Sequence, residues 1–557
     1  MKAPLNVPKL SGFDKSHQNL LTTKCGTITP ILIDELIPGS KVNLKLALSA
    51  SLPPLASDTF MRCSVKCRAF FVPFRLLAGS FESWFTDSPK RFAEYRYNGT
   101  DYSPNEHKGF LPCIGGLNSS SSTEAAAIAA MTAVGGLFDY LGYKSTNSTA
   151  LTTTNKAISA MPALAYHRVY HDWFRNTLVQ AEVFLPPTQV GSVNAISPGS
   201  EFAYAGMSPY LFFMGDSGSY PEYLFKSQAS LRLADGKYLY DLRQENFGLD
   251  YFSTATPTAQ QGSPEVVSFN TSGSTGQFSI GALRLANSLQ QFKERNNLAG
   301  NLFVEQCYAR YGVSPSDGVA QRSLYLGSQD YEVYSKGVNQ TADSSNSTAT
   351  YGNPFTSTGA QFGQGRATGN GTLVSGFEAK EPGYLLVTAT LVPRVTYSSG
   401  IHRRFTNYVG AGSLTDLANP ILQNVGPQPV MMYELNGNGS SAGVFGYTDR
   451  YANFKTMEDE LHGLVRDGSS LQSFALQRSF SGGSNPQITS SFLEIPTNFM
   501  DQVTAVSGEI STYGCWMDCY FDYKVAQPLA KYSLPSLQDP AYEHGRTIIV
   551  NKGGKRL

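Results

Sequence analysis

The strongest constraint lies near the end of the chain. Cys515, Met517, Cys519, Phe521, Tyr523 and Val525 share one parity, while Asp518, Asp522 and Lys524 take the other. Alternation with period two places every apolar side chain on one side of a β-strand. The same pattern recurs near the start. Val42, Leu44, Leu46 and Leu48 alternate with Asn43, Lys45, Ala47 and Ser49. Met61, Cys63, Val65, Cys67 and Ala69 alternate with Arg62, Ser64, Lys66 and Arg68, and Phe70-Phe71-Val72 then run into Pro73, where the strand stops. Residues 384–392 form a near-continuous apolar run, the signature of a strand covered on both faces. Half-buried strands at both ends of a 557-residue chain must meet to bury their faces. The pattern predicts one antiparallel β domain that receives a large insertion.

That insertion reads as mixed. Helical candidates are 123–140, 162–180 and 283–311, separated by Ser/Thr/Asn/Gly-rich stretches at 144–155, 187–220 and 335–372. In the second helix Val169/Trp173 and Tyr170/Phe174/Leu178 stand at i,i+4 spacing. Trp173 and Phe174, with Arg175, are therefore the expected anchor of the helix on the β scaffold or on a neighbouring subunit. Charged residues are only 15% of the chain, against roughly a quarter in ordinary soluble domains, which excludes a coiled coil and a charge-driven disordered chain. Lys plus Arg equal Asp plus Glu at 43 each, so no global charge points to nucleic acid or membrane. A low-charge surface bearing 31 Tyr and 33 Phe instead points to extensive subunit contacts. Met1 to Pro8 contain no apolar targeting segment, and 125–138 is too short to span a bilayer.

A search for chemistry finds no coherent active site. Cys63/Cys67 and Cys515/Cys519 are spaced i,i+4 on strands, about 13 Å apart. That is too far for a disulfide and too sparse for a zinc site, so buried thiols in a reducing cytoplasm are expected. His167 and His171 have the spacing of a zincin helix, but Arg168 stands where that helix needs its glutamate. Gly215-Asp216-Ser217-Gly218 lacks the upstream histidine segment of a serine protease, and 363–369 departs from GxGxxG without a βαβ context. Carboxylates such as Glu458 and Glu460 carry no spacing that marks a cleft. No catalytic residue, metal or cofactor is expected. Basic residues do gather at the ends, where Lys2, Lys9, Lys552, Lys555 and Arg556 are candidates for contact with nucleic acid. Two other classes share this composition: a phage fibre or carbohydrate-binding adhesin, and a β-sandwich glycoside hydrolase, which would need two carboxylates facing one cleft.

Short motifs narrow the choice. Phe13-Asp14-Lys15-Ser16-His17 with Thr22-Thr23 resembles the FDxSH…TT opening of the major capsid proteins of microviruses, small icosahedral single-stranded-DNA phages, with the gokushovirus-like branch nearest. In family order follow Ile31-Leu32-Ile33-Asp34-Glu35-Leu36-Ile37-Pro38-Gly39 and Phe70-Phe71-Val72-Pro73-Phe74-Arg75-Leu76. Next come Met161-Pro162-Ala163-Leu164-Ala165-Tyr166 with Asp172-Trp173-Phe174-Arg175, then Tyr308-Ala309-Arg310-Tyr311-Gly312-Val313. Gln321-Arg322-Ser323-Leu324-Tyr325-Leu326-Gly327 and the closing Tyr532-Ser533-Leu534-Pro535 complete the set. Lys15 replaces the family's usual apolar residue, His171 and Asp172 replace Asn-Glu, and twenty residues follow Leu537.

The resemblance implies a mainly β fold: a single eight-stranded antiparallel jelly-roll barrel with long, partly helical insertions, building a T=1 shell. It divides the chain into an N-terminal arm (1–30), scaffold strands (31–90 and 374–537), insertions (91–373) and a C-terminal tail (538–557). It implies a virion protein assembled in the bacterial cytoplasm around circular single-stranded DNA, with a small basic DNA-binding protein and a minor pilot protein. A host surface receptor would be met by an outward loop. The expected loop is 187–226, with Phe202, Tyr204, Tyr210, Phe212 and Phe213. A chain of zero net charge leaves neutralisation of DNA phosphates to a basic partner, polyamines or cations.

Overall fold

The computed structural model describes residues 10–57, 59–78, 81–86, 96–97, 100–101, 111–115, 117–143, 158–184, 228, 231–265, 280–300, 302–339, 361–406, 418–437, 443–480, 485–505 and 508–529. Two antiparallel sheets organise them. Their strands are β1 (Ser11–Asp14), β2 (His17–Thr23), β3 (Thr27–Leu36), β4 (Lys41–Ser51), β5 (Cys63–Pro73) and β6 (Arg243–Gln244). The later ones are β7 (Leu324–Glu332), β8 (Tyr334–Asn339), β9 (Gln361–Glu378), β10 (Gly383–Pro393) and β11 (Cys515–Gln527). The first sheet runs β8–β9–β4–β11, and the free edge of β11 is shared by β1 and β2: Ser11 faces Gln527 and Thr23 faces Cys515. The second runs β6–β3–β10–β5–β7.

The core lies between the sheets. The alternating residues of β4 (Val42, Leu44, Leu46, Leu48), β5 (Cys63, Val65, Cys67) and β11 (Cys515 to Val525) meet Leu385, Val387, Ala389 and Leu391 of β10 there. Desolvation in this core raises the Cys63 and Cys67 thiols well above their ordinary range and pushes Cys515 and Cys519 up to about 12, so all four stay protonated.

The other face of the second sheet is covered too. Phe70, Val72, Leu386 and Ile28 pack in a second core with helix α3 (Met161–Val169) and with α1 (Ser122–Thr132) and α2 (Leu137–Tyr140). Burial on both faces accounts for the near-continuous apolar run at 384–392. The first sheet keeps its outer face open: Trp516 and Tyr520 are half exposed, and Asn43, Lys45 and Ser49 stand beside them.

Three sequence expectations change in detail. The helix predicted over 162–180 turns into a π-helical turn at Tyr170–Phe174 and ends, and the one over 123–140 breaks at Gly135 and Gly136. The one over 283–311 is split by Gly300 (φ +93°) into α4 (Ile280–Ala299) and α5 (Phe303–Tyr311). The sheets form an open sandwich: among the described residues no strand ladder joins them into a closed barrel. Instead β7 leans on β9, where Gly327 lets the Leu373 carbonyl come into the space a Cβ would fill, and the Tyr331 hydroxyl donates to the Leu46 carbonyl at 3.0 Å.

The placement of strands also differs from the sequence division. β7 and the first part of β9 lie inside 91–373, and β2 lies within the arm 1–30. β9 escapes pattern reading because glycines occupy its crowded positions. A Cβ at Gly365, Gly369 or Gly371 would come within 2.6 Å of Leu52, Tyr331 or Gln329. Tight packing has removed the side chains whose alternation would have marked the strand.

Candidate functional site

Trp173 stands where α3 gives way to its π turn, at the edge of the second sheet. Its indole N–H donates to the Ser323 carbonyl (3.1 Å) and hydroxyl (3.0 Å), just before β7 begins. Its ring centroid lies 5.5 Å from Tyr325 and 6.1 Å from Phe70, and the Arg322 guanidinium sits 4.1 Å from it. Phe174 packs on Phe70 at 5.9 Å from the other side, with the Arg68 guanidinium 5.0 Å from its ring. Arg175 is buried and donates to Glu182 (2.9 Å) and the Gln180 carbonyl (3.2 Å). Trp173, Phe174 and Arg175 thus each touch either the sheet or the turn that follows the helix.

A buried polar network holds this junction. Asp172 accepts from Arg168 Nε (3.0 Å), from the Ser323 N–H (2.8 Å) and from the Ser323 hydroxyl (2.9 Å), while its other oxygen meets His171 Nδ1 at 3.1 Å. Burial alone would raise its carboxyl, but Arg168, His171 and the Ser323 N–H outweigh it and hold Asp172 below the usual range. Arg168 also reaches the carbonyl of Gln321, a non-glycine residue in the left-handed region (φ 56°). Further along, Arg68 on β5 forms a bidentate pair with Glu245 (2.7 and 2.8 Å), tying the segment after β6 to the sheet. Ser323, Arg322 and Glu245 could not be found by spacing, because each lies at least 149 residues from its partner in Trp173 or Arg68.

The two histidines do not converge on a ligand. His167 is fully buried between the Leu239 carbonyl (2.9 Å) and Arg243 (3.0 Å), and burial followed by the Arg243 charge drives its basicity far down. His171 faces Asp172 and Glu182. Among the described residues, no cluster of His, Cys, Asp and Glu is arranged to hold a metal ion, and no helix is long and apolar enough to cross a membrane.

The opening motif is a clasp. Lys15, between β1 and β2, donates to both Asp34 oxygens (2.7 and 3.0 Å), one of which, Oδ2, also accepts the Tyr523 hydroxyl (2.7 Å). The His17 ring stacks on Phe521 at 5.1 Å. The departure at Lys15 thus pairs with Asp34 of the second motif. Lys2, Lys9, Lys552, Lys555 and Arg556 lie outside the described residues, as do Gly215 to Gly218 and the loop 187–226 with Phe202, Tyr204, Tyr210, Phe212 and Phe213.

Two surfaces stand out as uncovered among the described residues. α4 is exposed along almost its whole length, with Leu285, Leu289 and Phe292 at i, i+4 and i+7 on one face. Tyr308 and Tyr311 of α5 are exposed beside it, and the Arg310 guanidinium lies 4.7 Å from the Phe292 ring. The open face of the first sheet borders a cavity of about 1120 Å³, whose lining includes Trp516, Tyr513, Leu20, Thr22 and Asn19.

Comparison with known proteins gives these features a context. Residues 6–268 and 217–537 match the family described as Capsid protein (F protein). Capsid protein VP1 of Chlamydia phage 1 is 24% identical, covering 96% of this chain and 97% of that protein. Capsid protein VP1 of Bdellovibrio phage phiMH2K is 23% identical (94% and 95% covered), and that of Spiroplasma virus 4 is 23% identical (94% of each). Because the match runs from the clasp at the first strands to the segment beyond β11, this chain belongs to the phage capsid protein (F protein) family.

Proposed function

We propose that this structural capsid protein builds a T=1 icosahedral shell around circular single-stranded DNA, in the cytoplasm of a bacterial host, and carries the loops that attach the virion. The observation that carries the reading is the family match along nearly the whole chain of an open, two-sheet sandwich. Its strand order supports a jelly roll. β2, β4, β9 and β11 belong to one sheet and β3, β5, β7 and β10 to the other, the eight-stranded double-sheet plan used by viral capsid domains. On this plan the insertions are 74–323, between β5 and β7, and 394–514, between β10 and β11.

The stripe on α4 supplies the contact such a shell needs. Contiguous exposed apolar surface is rare on soluble monomers and marks a binding face. We assign it to a second copy of this chain. Phe292→Asp places a charge in that face without touching the sandwich core. Size-exclusion chromatography should show the variant folded but trapped as subunits, with particle yield down at least about tenfold, the factor of about 1.4 kcal/mol lost at a contact. Normal particles from Phe292→Asp would remove α4 from the interface.

Lys2, Lys9, Lys552, Lys555 and Arg556 are proposed to contact the DNA, with a small basic protein supplying most of the neutralising charge and a minor pilot protein travelling with it. Ultraviolet crosslinking of intact particles should join DNA to the terminal peptides; crosslinks confined elsewhere would end that assignment. Host attachment is proposed for 187–226, where an aromatic-rich loop of this length is retained only for function or neighbour contact. Replacing 195–220 with a short Gly/Ser linker should leave particles intact and abolish adsorption to the host. Particles that adsorb normally would refute the role, and loss of particles would make the loop a seal between subunits.

A further inference from the structure

Beside the sandwich, Tyr251, Phe252, Val430, Leu435, Phe445 and Phe492 form a third small core, where 251–255 meets the 394–514 insertion. A cavity of about 270 Å³ opens against it. Its walls include the rings of Tyr251, Phe252, Tyr397 and Phe405. Four carboxylates line it, Glu434, Glu458, Asp459 and Glu460, against two guanidiniums, Arg404 and Arg466.

Nearly every one of these charges has a partner. Arg404 pairs with Glu460, which also meets His462 at 3.2 Å, and Asp459 pairs with Arg394 at 2.7 Å. Arg466 donates to the Ser398 carbonyl at 2.7 Å. Glu434 accepts from the Tyr251 hydroxyl (3.0 Å) and the Met431 N–H (2.8 Å), with Arg403 at 3.7 Å, while Asp250 behind the wall accepts from the Tyr397 hydroxyl (2.8 Å). His402 faces Arg404, and burial followed by that charge lowers its basicity, so it adds no cation at neutral pH.

Glu458 is the exception. It is half-buried, faces Asp250, Glu434 and Glu460, and has no cationic partner among the described residues. A second polar group lining the cavity is also unmatched: Ser398 is 8% exposed and its hydroxyl lacks a hydrogen-bond partner.

We infer that this cavity binds a small alkylammonium cation, with the ammonium on Glu458 and Ser398 and the methylenes against the aromatic walls. Aromatic faces attract such cations, and carboxylates among them fix the charge. The volume is just below the range of about 300–1,000 Å³ typical of drug-sized ligands, which suits a small guest. A bare divalent ion fits less well, because it needs several oxygens converging at about 2.0–2.6 Å, and the described residues offer no such group.

Occupation should be linked to a proton. Burial, then Asp250, Glu434 and Glu460, push the Glu458 carboxyl up to about 8. At neutral pH the cation must therefore displace a proton, and binding strengthens as pH rises toward that value. The limit is about tenfold per pH unit.

The test is calorimetric titration of the unassembled full-length chain with putrescine at pH 7 and pH 9, in buffers of different ionisation enthalpy. It does not depend on shell formation, so it stands or falls apart from the capsid reading. The expected result is a single saturable site per chain, tighter at pH 9, releasing protons at pH 7 and lost in Glu458→Gln. That variant removes one charge from a like-charge cluster, so its thermal unfolding at pH 9 should occur no lower than the parent's. Three outcomes would overturn the inference: unaltered binding by Glu458→Gln, affinity independent of pH, or magnesium binding equally well with the same sensitivity to the substitution.

Discussion

Asp172→Ala is expected to cost about 3–5 kcal/mol, because it removes one partner from a buried ion pair and leaves the other charged. Arg168 would keep its guanidinium at 7% exposure without its carboxylate partner, and the Ser323 N–H and hydroxyl would lose their acceptor. A loss of that size is a large part of a domain's stability. Urea unfolding of the soluble chain should show it directly, and a midpoint equal to the parent's would contradict the network. The parent should also show an acid-labile component. A carboxyl held below its ordinary value adds stability that is present above the unfolded value and is lost as pH falls through the native one. Asp172→Asn should lack that component.

Trp173→Ala is the second large effect, about 3 kcal/mol for a half-buried aromatic truncated to alanine. It removes the indole hydrogen bond to Ser323, the stack with Arg322 and the contacts with Phe70 and Tyr325, so the approach to β7 loses its hold on the helix. Particles should disappear while some soluble subunit remains on a sucrose gradient; normal particle yield would refute the anchor role. Asp172 and Trp173 both grip Ser323, so the double substitution should cost less than the two singles together.

What the sequence revealed follows from the physics of each element. β4, β5, β10 and β11 were legible because burial on one or both faces writes itself into period-two or unbroken apolar runs. β9 was hidden by the glycines that let Leu52, Tyr331 and Gln329 approach, and β7 by its half-exposed pattern at the flank of the sheet. The inward face of the helix that carries Trp173 was visible in its i,i+4 spacing, whereas the contacts of Trp173 on the approach to β7 were not, since local periodicity carries no information across a 150-residue gap. The third core was illegible for the same reason: Tyr251 and Phe252 meet Phe445 and Phe492 only after both insertions have folded.

In the proposed shell each chain buries its α4 face against copies of itself. Electron cryomicroscopy of purified full-length protein tests it most directly. The expected result is closed icosahedral particles of megadalton mass, one chain per asymmetric unit, with Leu285, Leu289 and Phe292 covered by a neighbouring copy. Folded protein that stays monomeric or forms only small oligomers under every assembly condition, or a shell in which those three side chains face solvent, would contradict it.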